Sequence, residues 1–481
     1  MSTVTATTLA ADLTGDANPS GGLTVLSDAL ALAGVPRCDI NVYHIEYATV
    51  GGQGESTSAS GALMVPTGSD TACTGARPIV LYAHATQALK TFNIADLSNS
   101  QNAEGILLAA FFATRGYIVV APNYAGYDTS VLPYHPFLVA AQQSDDMIDA
   151  LTAARSALSQ AAMAKTAQAA DNGQLFITGY SQGGYVAMAT HRAMQALNMT
   201  VTASAPMSGP YALEAFVDAE FAGQVSQGAP VVATLALDGY QNSYGNIYSQ
   251  PTDIISPEYA TGFTALLPST TPRSQLYAEG RLPEFALFSA TPPAAVYASV
   301  TPATSPAAFA PTFAQGFGAH NLITNTYRLS YLQDEAANPD GGFPNLTTNL
   351  PATAPQVAWR QALKLNDLRD WTPQAPTLLC GGDQDPTVYF FNTTLMQNYW
   401  TSHPPTSGST FSVLDLDSSV PAGGVDGSYQ TEFRVFKAAY AAAAVVRGAT
   451  DGGASAVAGA YHETLVPPFC LAAVISFFNQ F

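Results

Sequence analysis

Gln174–Met188 reads QLFITGYSQGGYVAM. Leu175-Phe176-Ile177 is a short apolar run of the kind that fills a buried strand. Gly179-Tyr180-Ser181-Gln182-Gly183 follows, and then small and apolar residues at helical spacing. This is G-x-S-x-G set between a strand and a helix, the context in which a serine stands at the apex of a sharp turn. The backbone there is strained. Side chains two positions to either side would collide, so Gly179 and Gly183 carry none. Gly184 lets the new helix lie close to the sheet. Ser181 projects its hydroxyl into open space, with the positive end of the helix dipole aimed at it.

Working outward, other runs supply the sheet. Asp39–Val50 and Thr57–Val65, joined by a turn at Gly51–Gly54, read as an antiparallel pair at a sheet edge. Pro78–His84 (PIVLYAH) and Tyr117–Pro122 (YIVVAP) are continuous apolar runs, as in buried parallel strands. Helical patterning lies between them at Gly105–Thr114, and a long helix is expected over Phe137–Met163. Val201–Met207, Thr377–Cys380 and Phe411–Leu416 complete the strands. Helices are expected at Ala438–Arg447 and Phe469–Phe478. Alternating strands and helices predict an α/β fold, a mostly parallel sheet covered on both faces.

Four segments follow from this rhythm. Residues 1–35 read as a tether with one short helix, Leu23–Ala33. Residues 36–209 form the first part of the core and residues 373–481 the second. Residues 210–372, rich in Pro, Tyr and Phe, break the rhythm. An insertion of that length is too long for a structureless loop and is expected to be a mainly helical cap over the C-terminal ends of the strands. Its inner face is expected to be apolar, because Tyr259–Pro272 carries almost no charge.

A serine presented in this way works with a histidine and an acid that follow it in the chain. After the strand at Thr377–Cys380 comes GGDQDPTV, and Asp385 is the acid expected there, with Asp383 the alternative. Only His403 and His462 lie beyond. His403 sits before the last strand, and His462 follows it in a loop of small residues, so His462 is the base. Ser181 is then the nucleophile, activated by His462, with Asp385 holding the imidazole tautomer. A developing oxyanion needs two backbone N–H donors. One is expected from Gln182, and the other from the loop after Pro78–His84, where Ala85 and Thr86 lie.

Composition sets limits. The chain has 481 residues, 47% hydrophobic and 11% charged, with a formal net charge of -19. It is therefore neither disordered nor matched to nucleic acid or an anionic membrane. No apolar run reaches the ~18 residues of a membrane span. No signal peptide is visible in the first 22 residues, while the small polar composition leans toward export. The histidines and cysteines make no metal-binding pattern, so no metal is expected. Cys38 precedes the first strand of the edge pair and Cys73 follows the second, which predicts Cys38–Cys73. Cys380–Cys470 would join the acid-bearing strand to the helix after His462. Either bond points to an oxidising compartment.

LYAHAT (81–86), APNYAGYD (121–128), GYSQGG (179–184), CGGDQDPTV (380–388) and YHETLVPPFC (461–470) together resemble the α/β-hydrolase superfamily, and within it the secretory-lipase and esterase branch with a large cap after strand six. The resemblance covers most of residues 36–481. It implies a carboxylic ester hydrolase without a cofactor, acting on a small-molecule, lipid or polymeric ester, and secreted or periplasmic. Segment 84–86 usually reads His-Gly-Thr in such enzymes. Ala85 replaces that glycine here, and Thr86 is the implied second oxyanion donor. A capped aminopeptidase, using Glu214, Glu220 or Glu284 for a free amine, is the rival reading. A non-catalytic binding protein on the same fold is the other.

Overall fold

The computed structural model describes residues 1–6, 9, 32–99, 102–160, 169–420 and 427–481. The expected helix Leu23–Ala33 lies almost wholly outside them. Eleven strands are present among the described residues: β1 (Ser2–Val4), β2 (Asp39–Val50), β3 (Ser56–Thr67), β4 (Gly75–Ala83), β5 (Ile118–Pro122), β6 (Ala169–Tyr180), β7 (Ala203–Met207), the short pair β8 (Phe288–Ser289) and β9 (Phe317–Gly318), then β10 (Thr377–Gly381) and β11 (Phe411–Asp415). Nine of them make one sheet in the order β1-β2-β3-β5-β4-β6-β7-β10-β11. The first three strands are antiparallel, β3 meets β5 antiparallel, and every pairing from β5 to β11 is parallel. This is an α/β-hydrolase fold with a helical cap.

The sequence dictates the layering directly. In β4, Ile79 and Leu81 point into one core, while Val80 and Tyr82 point into the other. In β5, Ile118 and Val120 join the first core, and Val119 and Ala121 the second. Every central strand is buried on both faces, which is why these strands read as unbroken apolar runs. Helices Ala140–Ser159 and Gln182–Ala196 cover one face. Ala103–Phe111, Ser428–Val446 and Val466–Phe478 cover the other.

Several expectations need correction. Residues 2–4, read as part of a tether, form the edge strand β1 on β2. Their short alternating pattern, STV, is too brief to stand out in sequence. Within the apolar segment that includes Tyr259–Pro272, expected in a mainly helical insertion, the one helical turn is Pro257–Ala260. The C-terminal helix begins earlier than expected and is continuous with helical residues from Ala454. The stretch Ala454–Phe478 is long and apolar enough to cross a membrane, but most of it is buried against the sheet. It is therefore accounted for as a core helix.

The chain between β7 and β10 carries helices Leu213–Phe221, Ala229–Tyr244, Asn325–Ala337 and Ala358–Asn366, with long irregular stretches between them. A buried ionic cluster ties three of these helices together. The Arg360 guanidinium donates to both oxygens of Asp218, at 3.0 and 2.7 Å, and lies 3.2 Å from Asp334. Glu214 is 3.4 Å from the same guanidinium. Burial and the nearby Asp218 charge push the Glu214 carboxyl up to about 9, against the pull of Arg360. One guanidinium cannot neutralise so many carboxylates, so Glu214 is held protonated. Burial raises Glu335 and Asp218 too.

These raised acids give a signed prediction. Each binds its proton more tightly in the folded chain than in the unfolded one. Between the ordinary carboxylate range and about 9, the folded state holds the extra protons, so stability falls as pH rises. Asp334 is held below its ordinary range by the Val357 and Gln356 N–H groups, the Asn338 amide and Arg360, and acts oppositely, but only in stronger acid. The buried His84, His135 and His191 rings, held down to about 4, 3 and 3, oppose this only below about pH 6.5, where the unfolded imidazole gains its proton. Calorimetry at fixed ionic strength should therefore give a higher Tm at pH 7 than at pH 8.5. A Tm that is flat or rises between those two values would show that these carboxylates are ionised and neutralised in the fold.

Candidate active site

Ser181 joins β6 to the helix Gln182–Ala196 with φ 59° and ψ -122°. Its N–H donates to Met207 O at the end of neighbouring β7, at 3.0 Å, which holds the strained residue from the sheet side. The glycines are explained by contact distances. A Cβ on Gly179 would stand 2.3 Å from Gly183 O, and one on Gly183 would stand 1.9 Å from Ala83 O. A Cβ on Gly184 would stand 2.2 Å from Met207 O. All three are backbone atoms that cannot step aside.

The structure brings Ser181, His462 and Asp385 together. His462 Nε2 is 2.8 Å from Ser181 Oγ, and His462 Nδ1 is 2.6 Å from Asp385 Oδ2. Oδ1 of Asp385 accepts the N–H groups of Thr387 and Val388, at 2.9 and 3.0 Å. With Nδ1–H donating to the carboxylate, the Nε2 lone pair faces the serine hydroxyl, which donates to it. Such an array can remove the hydroxyl proton as Oγ attacks an acyl carbon. Asp383 stands exposed on the surface, with its own N–H given to Asp415. His403 caps the helix Phe391–Ser402 and is also exposed.

His462 is not in a loop as expected. It lies in a π-helical turn, Tyr461–Leu465, inside a continuous helical stretch. The reason is in the next residues. Pro467 and Pro468 begin the helix Val466–Phe478 and have no N–H to continue an i→i−4 ladder through this turn. The N–H of Val466 instead reaches Tyr461 O, five residues back. The disulfide Cys380–Cys470 joins β10, just before the Asp385 turn, to the helix just after His462. Cys38–Cys73 forms at the other end of the sheet.

Gln182 and Thr86 both line the cavity at Ser181. Gln182 N–H is the first of the helix and has no acceptor within it. The Gln182 side chain donates to His135 Nε2 at 2.8 Å, and His135 Nδ1 donates to Ala125 O at 2.9 Å. Burial holds His135 down to about 3, so its ring is neutral and its Nε2 can accept.

Residue types alone did not single out three further groups. Tyr180 donates its hydroxyl to His462 O at 2.6 Å, so the residue before Ser181 holds the backbone of His462. Asp417 accepts the Gln384 N–H of the acid loop and the hydroxyl of Tyr461, beside His462. Glu104 accepts the Tyr82 hydroxyl at 2.7 Å and the Ala85 N–H at 3.0 Å, and lines the cavity. Burial pushes its carboxyl up to about 7 against the pull of those donors. The signal for Tyr180 was its place within G-Y-S-Q-G. The other two act on backbone or on residues distant in sequence and carry no pattern.

The cavity has a volume of about 870 Å³. The core supplies Ser181, His462 and Thr86, and the insertion supplies Phe216, Tyr240 and Trp359. Tyr259–Pro272, expected to line it, contributes only Pro272. Tyr259, Phe263, Leu266 and Leu267 are buried in the core beneath. The apolar wall comes instead from Leu213–Phe221, Ala229–Tyr244 and Ala358–Asn366. Acids are present as well. Glu220 and Glu284 line the cavity, whereas Glu214 is taken up in the Arg360 cluster.

No protein-family model matches the chain, and no curated protein sequence does. Among solved structures, a rice cell wall degrading esterase, LipA from Xanthomonas oryzae, is similar at 26% identity over 86% of this chain and 88% of its own, with a TM-score of 0.64. A ligand-bound form of the same esterase aligns over 100% of this chain and 97% of its own, at 23% identity and a TM-score of 0.68.

If Ser181 and His462 act as one unit, Ser181→Ala and His462→Ala should each lower kcat on an activated ester by about 10⁴-fold or more, and the double variant should lose little beyond either single one. Asp385→Asn should cost less than Ser181→Ala, and Asp383→Asn should leave kcat near wild type. Circular dichroism should be unchanged throughout. Wild-type turnover by Ser181→Ala would place the nucleophile elsewhere.

Proposed function

We propose that this α/β-hydrolase, lipase- and esterase-like in fold, cleaves carboxylic esters through an acyl-enzyme on Ser181. The observation that carries the reading is the Ser181–His462–Asp385 chain of hydrogen bonds opening on a largely apolar cavity. Ser181 Oγ attacks the ester carbonyl carbon while His462 Nε2 takes its proton. The Gln182 and Thr86 N–H groups receive the oxyanion, each worth roughly 2.7–4 kcal/mol in the transition state. His462 returns the proton to the departing alkoxide, and the alcohol leaves. Water then attacks the acyl-enzyme by the same route, releasing the acid and restoring Ser181. Asp385 orients the ring and stabilises its charged form.

Residues 210–372 serve as the cap in this reading, between core parts 36–209 and 373–481. The similar Xanthomonas oryzae structure, an esterase by name, supports the same class. The two disulfides support an extracellular or periplasmic site of action.

Hydrolysis of 4-nitrophenyl esters from acetate to long acyl chains, with aryl and polymeric esters alongside, tests this. Burial at ~0.8 kcal/mol per methylene allows a rise of up to about fourfold in kcat/KM per carbon until the cavity is full. Medium acyl or aryl esters should therefore exceed acetate. Glu220 and Glu284 supply the specific test of the peptidase reading. Aminoacyl 4-nitroanilides cleaved faster than neutral esters would establish it, and strict preference for acetate would remove the apolar-pocket reading.

A further inference from the structure

We infer that Glu104 is a positioning residue for the oxyanion loop: its carboxylate and the His84 ring pin the two peptide planes on either side of Ala85, so that the Thr86 N–H is held toward the cavity. This rests on the ester-hydrolase reading above.

The argument is geometric. The N–H of the peptide entering Ala85 donates to both oxygens of Glu104, at 3.0 and 3.2 Å. The carbonyl of the peptide leaving Ala85 lies 2.6 Å from His84 Nδ1. Burial holds the His84 ring down to about 4, so it is neutral and carries one proton. Both ring nitrogens face backbone carbonyls, Nδ1 that of Ala85 at 2.6 Å and Nε2 that of Asn123 at 3.1 Å, and the single proton is assigned to the shorter contact, on Nδ1. The 85–86 peptide is trans, and in a trans peptide the N–H points opposite to the C=O. With Ala85 O fixed on the imidazole, the Thr86 N–H must point to the other side. Thr86 lines the cavity, and its N–H has no hydrogen-bond partner among the described residues. Both backbone groups of Ala85 are thus taken, and the next donor is left free for a ligand.

Glu104 is itself well placed to do this. It lies in the first turn of the helix Ala103–Phe111, which Asn102 caps by accepting the Gly105 N–H at 3.1 Å. A helix N-terminus favours a carboxylate there. The same carboxylate accepts the hydroxyl of Tyr82, near the end of β4, at 2.7 Å. It therefore clamps the loop to the strand that leads into it. Beyond residue 86 the loop is anchored separately, by Tyr127 OH on Gln87 O and by the Ser269 and Lys90 backbone bonds to the insertion. Glu104 acts on the segment between these anchors.

A donor that is merely misdirected weakens the transition state and leaves ground-state binding alone. The test compares wild type, Glu104→Gln and Glu104→Ala on 4-nitrophenyl butyrate. Rates are expressed per Ser181 titrated to completion with a fluorophosphonate, so misfolded protein is divided out. Glu104→Ala should lower kcat by about 10- to 100-fold with KM within about threefold, and Glu104→Gln, which keeps one acceptor oxygen, should fall between it and wild type. The rate of phosphonylation should drop by the same factor as kcat, because the phosphoryl oxygen enters the same hole. If Glu104→Ala does not fold, Glu104→Gln decides alone. Wild-type kcat in the variants that fold, or a loss confined to KM or to the titratable fraction, overturns the inference. An active wild type with unaffected variants rejects this inference only. A wild type that turns over no ester rejects the hydrolase reading and this one with it.

Discussion

Ser181 sits at φ 59° and ψ -122°, a region that costs a non-glycine residue about 1–3 kcal/mol. Nothing local relieves that strain. It persists because the surroundings leave the chain no alternative. Met207 O receives the Ser181 N–H from the adjacent strand, and Tyr185 N–H returns to Ser181 O from the new helix. The glycines at 179, 183 and 184 let Ala83 O, Gly183 O and Met207 O approach to distances at which no Cβ could survive. The turn therefore fits only where β4, β6 and β7 are in register. The parallel sheet and the placement of the hydroxyl at the cavity are consequences of the same packing.

The other two members of the array face a different problem. Asp385 and His462 are separated by 77 residues and reach Ser181 from two unrelated turns. Positions must then be fixed by cross-links that do not involve the reacting atoms. Cys380–Cys470 supplies one covalently. Tyr180 supplies another, from the strand that leads into Ser181 to the His462 carbonyl. Asp417 supplies a third, from the acid loop to Tyr461. Several short links from rigid elements hold an imidazole better than one, since each removes a different rotation.

What sequence could reveal follows from this division. That Ser181, Asp385 and His462 meet was legible because their order along the chain and their positions after strands follow from the fold. The central strands were legible because burial on both faces writes an apolar run. Strand β1 was not, since three residues give no period to read. The π turn at His462 was not, because its cause is two prolines acting on the backbone ahead of them, and the small residues nearby read equally well as a loop. Glu104 was hidden for a related reason. It acts on a backbone N–H in a loop 19 residues away in sequence, and a lone glutamate in the first turn of a helix reads as ordinary capping chemistry.

The insertion shows the complementary case, in which polarity rather than burial determines shape. Its cavity wall is built from apolar side chains, and such walls tolerate exchange of one hydrophobe for another with modest loss. Behind the wall, Asp218, Asp334 and Arg360 join three helices through contacts of 2.7 to 3.2 Å, all buried. A buried charge that loses its partner is strongly destabilising, and the guanidinium fork accepts only a narrow geometry. The helices are therefore held at fixed angles by the cluster, whatever occupies their inner faces. Phe216 and Leu363 face the cavity, while Asp218 and Arg360 on the same two helices face the cluster. The apolar lining and the ionic cross-link are thus carried by different faces of Leu213–Phe221 and Ala358–Asn366.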